Sequence, residues 1–152
     1  MLTNAQKIVL KNAAVAATLN MEDYGAIADW LNASTAFVCW KSSMTPTEAR
    51  IAITSGAQLA QLDNLTVGKR DALFYALDES VNTNDSAVRS AIEDLCGTQN
   101  TLKAALTAAM KRTVNKAEQL LATGTGTDAV PATLGWEGQI DIYQIGDILS
   151  AV

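Results

Sequence analysis

Histidine is absent from this chain of 152 residues, which removes the commonest general base and the commonest metal ligand together. Cysteine occurs twice, as Cys39 and Cys96, without the close spacing of a metal or redox motif. Both read as buried, reduced thiols of a cytoplasmic protein. Only Pro46 and Pro131 are proline, so long stretches are free to be helical. Aromatics make up 5% of the chain against 49% hydrophobic residues; the surplus is largely alanine, the strongest helix former. No apolar run reaches the roughly 20 residues of a membrane-spanning helix. The first residues lack a signal peptide's layout, because Lys7, Lys11 and Asn12 break up their apolar character. Asn32-Ala33-Ser34 and Asn64-Leu65-Thr66 match the glycosylation pattern, which means nothing in a chain made without secretion.

Bases are missing from one end. Up to Lys116 eleven Lys/Arg balance eleven Asp/Glu; beyond it stand Glu118, Asp128, Glu137, Asp141 and Asp147 with no base, the whole net charge of −5. An acidic balance argues against a duplex-coating protein, which needs clustered Lys/Arg to displace counterions. No nucleophile with its base, no metal-ligand set and no cofactor motif stands out, so no enzyme activity, cofactor or metal is expected.

What is present is mostly helical periodicity. Thr3 can cap a first helix, with Ala5, Ile8 and Val9 on one side. From Met21 to Leu31, Tyr24, Ile27, Ala28 and Leu31 fall at the spacing of one buried face. Ala36–Trp40 reads as a short extended segment with no obvious second strand beside it. Thr45-Pro46-Thr47-Glu48 combines a cap, a first-turn proline and a capping box; the helix it opens ends near Ser55-Gly56, and Ala57–Leu62 adds a further turn or two. Amphipathic helices follow over Val67–Asp78, Ser86–Leu95 and Thr101–Lys111, and another restarts at Thr113 and runs through Leu121. Gly97 suits the end of the second of these.

After Thr123 the character changes. Thr-Gly-Thr-Gly-Thr-Asp cannot continue a helix, and Pro131 favours extended chain before it. Ala132–Gln139 reads as a strand or hairpin around Trp136, and Asp141-Ile142-Tyr143-Gln144 has capping-box spacing for a last helix from Ile142 to Leu149. The expectation is an all-α fold: a compact multi-helix body over residues 1–122, then a C-terminal arm over 123–152. That arm would hold a short strand or hairpin and a final short helix.

Gly124-Thr125-Gly126 is poorly suited to cradle phosphate, since a helix precedes it and no Lys-Ser/Thr follows; a hinge at Gly124 and Gly126 is the better account. The acidic pairs Glu22-Asp23, Asp78-Glu79 and Glu93-Asp94 point to different sides of a helix and read as solvated faces. Thr45–Leu62 has the outline of a helix-turn-helix but offers the DNA groove only Arg50, Gln58 and Gln61. Two readings of the arm stay open. Folded back on its own body, Trp136, Ile140, Ile142 and Ile145 are ordinary core. Alternatively the hinge, the single-sign charge and the apolar end suit a segment that docks on another chain.

AEQLLATGTGTDAVPATLGWEGQIDIYQIGDIL, following a short helical body, resembles small helical proteins encoded among the head and neck genes of tailed bacteriophages. Within that group the chain is most similar to head–tail connector (adaptor) proteins. The resemblance implies a virion protein assembled in the host cytoplasm as a homo-oligomeric ring, seated under the portal and receiving the next neck or tail protein. DNA would pass through its lumen. The hinge would be Thr123–Asp128, and Val130, Leu134, Trp136, Ile140, Ile142, Tyr143 and Ile145 would bind partners. The same gene neighbourhood offers a tail-completion or minor capsid protein as an alternative. A DNA-binding packaging factor using Thr45–Leu62 is another.

Overall fold

The computed structural model describes residues 1–54 and 56–152. Its elements are α1 (Asn4–Ala16), α2 (Tyr24–Asn32), β1 (Ser34–Trp40), α3 (Pro46–Ile53), α4 (Gly56–Asp63), α5 (Val67–Ala76), α6 (Ser86–Cys96), α7 (Asn100–Ala109), β2 (Lys111–Asn115), α8 (Lys116–Leu121) and α9 (Ile142–Leu149). The break expected at Ser55 lies outside the described residues. The all-α expectation is corrected: the fold is mixed, because β1 pairs with β2 in a two-stranded antiparallel sheet. The missing partner of Ala36–Trp40 is Lys111–Asn115. It was expected to be helix from Thr113 on, and its polar letters conceal a strand with one buried residue, Val114.

The chain divides into two compact units, one made of Met1–Cys39 with Thr113–Val152, the other of Trp40–Arg112. The division does not fall at Thr123. Residues 123–152 belong to the same unit as the first two helices.

In the continuous unit, α7 is the central helix, packed by α3, α4 and α6, while α5 lies on α6. Met44, Leu73, Leu102, Leu106 and Met110 are fully buried there. Local chemistry sets the helix starts. Thr45 accepts from the Glu48 amide while the Glu48 carboxylate accepts from Thr45 N, with Pro46 in the first turn; two orphan donors are thereby satisfied. Lys41 Nζ reaches the same carboxylate at 2.6 Å. The Lys41 hydrogen bond, then that from the Thr45 backbone, holds the Glu48 pKa down at about 2. Where the chain enters and leaves this unit, Lys41 N donates to Met110 O. The buried Thr83 hydroxyl lies within bonding distance of both the Lys41 and Met110 carbonyls. The Arg89 guanidinium stacks 4.3 Å over Trp40 and donates to Thr83 O. Its burial there pulls its pKa down.

The discontinuous unit wraps α1, α2, α8 and α9 around Leu10, Ala14, Ile27, Leu31, Ala117, Ile145 and Ile148. Fully burying each large apolar side chain stabilises by roughly 1.5–3 kcal/mol. A smaller cluster joins Cys39, Val114, Ala132 and Leu134. α1 carries a full capping box between Thr3 and Gln6. It ends in a six-to-one turn, Leu19 N to Ala14 O with Thr18 N to Val15 O, that puts Thr18 at φ 56°. That left-handed position normally goes to glycine.

Candidate functional site

The C-terminal segment is where the sequence places its interaction residues, and the structure shows what holds it. Asn115 caps α8, accepting from Glu118 N at 2.8 Å. The buried Glu118 carboxylate returns to Asn115 N and also accepts from Gly138 N at 3.0 Å, while Asn115 Nδ2 donates to Gly138 O. A capping box is thus extended into a clamp on the returning chain. Two residues on, the Asn32 carboxamide meets the Ile140 backbone twice, Nδ2 to O and N to Oδ1, both at 2.8 Å. Farther along, Lys7 Nζ pairs with Asp147 at 2.5 Å, Lys11 donates to Ala151 O and Asn4 to Val152 O.

The Gly/Thr loop is equally tied. Thr123 and Thr133 exchange both backbone bonds, Gly126 O accepts from Val38 N, and Ala132 N donates to Val38 O. Gly124 and Gly126 stand at φ 128° and 71°, a region side chains disfavour. A Cβ on Gly126 would collide with the Phe37 ring, and one on Gly124 would lie 3.1 Å from the Ala132 backbone. These glycines are there for a tight, packed turn rather than a hinge.

The seven expected partner-binding residues part into two sets. Leu134, Ile140 and Ile145 are buried inside their own unit, Ile145 completely, and Trp136 packs half-buried against the same core. Ile140, Ile145 and Trp136 pack into the core shared with α1, α2 and α8, and Leu134 packs with Cys39, Val114 and Ala132 at the strand pair, so the fold itself uses all four. Val130, Ile142 and Tyr143 remain outside, 57%, 46% and 89% exposed. They have a companion the periodicity misplaced: Tyr24, expected on α2's buried face, is 42% exposed. Its ring lies across Gly146, where a Cβ would sit 3.6 Å from it. Gly146 lies between Ile142 and Tyr143 on the face of α9 (four and three residues on), so Tyr24, Ile142 and Tyr143 form one apolar face.

Other chemistry raised by the sequence is absorbed structurally. Arg50 pairs with Asp78 at 3.3 Å, and Gln61 Oε1 accepts from Leu102 N, so two of the three residues offered to a DNA groove are engaged within the unit. A cavity of about 290 Å³ lies beside Tyr75, Asp78, Glu79 and Ser80; Asp78, on its wall, is the carboxylate Arg50 holds. Cys39 and Cys96 are buried, and burial pushes the Cys96 thiol pKa up. Among the described residues no cluster of His, Cys, Asp and Glu could hold a metal ion, and no helix is long and apolar enough to cross a membrane. Comparison with protein-family models, with curated proteins and with solved structures found no match.

Proposed function

We propose that this chain is a structural virion protein of the head–tail connector type, working by protein–protein contact. As such it assembles in the host cytoplasm as a ring, sits under a portal protein and receives the next neck or tail component. The observation that carries this reading is the outer face of the C-terminal segment. Ile142 and Tyr143 stay exposed although Ile140, Ile145 and Ile148 of the same stretch are buried in the core. The resemblance of the Ala117–Leu149 stretch to connector proteins supplies the type of assembly. Charge is consistent with it: the unit that contains this segment holds three bases against eight acids, the chain's entire −5. A surface of that sign suits a wall past which DNA slides without sticking.

The test is light scattering on the purified protein with and without its portal. A particle of portal plus many copies of the chain is the expected result. A monomer that never joins a portal-containing ring overturns the reading, and gold labelling at the tail tip or on the capsid shell would replace it with a different virion role.

A further inference from the structure

We propose that the face formed by Tyr24, Ile142 and Tyr143 is the docking site for a basic amphipathic segment of another protein. Its apolar side chains would lie along the centre and its Lys or Arg side chains along the edges. The proposal deepens the contact role given above and rests on it only in taking the chain to work by protein contact.

Three observations carry it. The first is that the fold does not ask for these side chains. α9 is anchored by Ile145 and Ile148, and its start is fixed by Asp141, whose Oδ1 accepts from Tyr143 N at 2.8 Å. Polar residues at positions 142 and 143 would serve the helix as well, yet an isoleucine and a tyrosine stand there, beside a third large ring on α2. Tyrosine is a residue type that anchors interfaces, because a rigid amphipathic ring gives much contact for little entropy.

The second is shape. Gly146 carries no side chain, and Tyr24 packs over it at ordinary contact distance, 3.6 Å from where a Cβ would sit. Ile142 stands on one side and Tyr143 on the other, so the three side chains offer a low apolar surface on which a partner's apolar side chains can lie.

The third is charge. Glu22 and Asp23 immediately precede Tyr24, and Asp141 immediately precedes Ile142. The bases of this unit are engaged within it: Lys7 is neutralised by Asp147, one turn beyond Tyr143 on α9, Lys11 donates to Ala151 O, and Lys116 lies over the Trp30 ring at 5.7 Å. An apolar centre whose edge carries a surplus of one sign selects a partner of the opposite sign and repels its own kind. A two-fold pairing of this face with itself would bring six carboxylates together, which disfavours a second copy as occupant.

The experiment uses the whole chain and a labelled synthetic helical peptide of leucine and lysine, with leucine at every third and fourth position, read by fluorescence anisotropy. A counterpart carries glutamate in place of lysine. The lysine peptide should bind saturably and the glutamate peptide should not. Tyr143→Ser combined with Ile142→Ser should weaken binding about tenfold or more, with the circular dichroism spectrum unchanged. Asp23→Asn combined with Asp141→Asn keeps both helix caps and should weaken binding about threefold while flattening its salt dependence.

No saturable binding of the lysine peptide overturns the proposal. So does binding that survives the serine pair, which would be attraction to net charge alone, and so does equal binding of the glutamate peptide. A dimer in sedimentation that is lost with Tyr143→Ser, or serine-sensitive binding to phosphatidylcholine vesicles in place of the peptide, overturns it in favour of a second copy or a lipid surface. A protein that binds the peptide but never joins a portal keeps the docking face and sinks the connector reading. The reverse result sinks the docking face alone.

Discussion

The two units solve the same problem with different chain logic. Trp40–Arg112 is one continuous stretch whose helices follow one another into a core of their own. The other unit is assembled from the two ends of the chain, and its core is complete only when residues 113–152 return to α1 and α2. The continuous unit starts its helices with local devices, caps and a first-turn proline, and adds a few remote ties, Thr83 to the Lys41 and Met110 carbonyls and Gln61 to Leu102 N. The discontinuous one relies on side chains that grip backbone far away in sequence, Asn32 on Ile140, Asn115 and Glu118 on Gly138, Gln6 on Gly135. Their charges differ in the same sense. The continuous unit is neutral, eight bases against eight acids, and the other carries the surplus. Local order is cheap in loop entropy, whereas a core closed by remote segments must be compensated by many specific contacts.

The largest break in that contrast comes from removing residues 123–152. With Ile140, Ile145 and Ile148 gone, the apolar faces of α1 and α2 are bare, so the discontinuous unit should lose fixed structure while the continuous one keeps it. Residue-resolved hydrogen exchange reads this directly; protection retained on α1 and α2 would mean the segment is an appendage after all. A finer cut uses neighbours on one helix. Ile145→Ala should destabilise by about 2–5 kcal/mol in a denaturant titration, and Tyr143→Ser by no more than about 0.5 kcal/mol. Similar effects from both would erase the distinction between the inward and outward faces of α9.

In the continuous unit the sharpest local device is the Glu48 cap. Glu48→Gln should cost roughly 1 kcal/mol near neutral pH through the weakened capping box and the lost Lys41 pair. Because the folded carboxyl titrates at about 2, against an ordinary value of 4.5, its contribution is present above about pH 4.5 and fades as the solution is acidified toward pH 2. The mutant and parent stability curves should therefore converge at low pH, and parallel curves would disprove the assignment. The smallest effect runs the other way. Thr18→Gly should raise the melting midpoint, gaining about 0.5 kcal/mol by relieving a left-handed β-branched residue.

Much of the continuous unit is legible from its letters, because its signals are local. The Thr45-Pro46-Thr47-Glu48 cap and the stripes of α5, α6 and α7 need no knowledge of what lies elsewhere. The same holds for α9, whose Asp141 and Gln144 mark its start. What could not be read is whatever depends on remote partners. Lys-Arg-Thr-Val-Asn is a strand because β1 lies beside it, not because of its own propensity. The apolar end of the chain reads equally well as core or as docking arm, since a sequence shows that Ile140 and Ile145 need cover without saying whose. Tyr24 sits at a buried-face spacing and yet is exposed, because its ring spreads over the glycine of α9 instead of entering the core. The clamp on Gly138 had half a signal, the Asn115-to-Glu118 spacing of a capping box. Asn32 had none.

That asparagine has a consequence of its own. A carboxamide is a peptide group on a short stalk, and Asn32 serves Ile140 as a stand-in for one residue of a neighbouring strand. Exchanging its nitrogen for oxygen, as in Asn32→Asp, or as slow hydrolysis does to ageing asparagines, would set an acceptor against the Ile140 carbonyl. One atom would then unfasten the seam from the inside. Intact-mass ageing followed by thermal melting should show the altered fraction unfolding first.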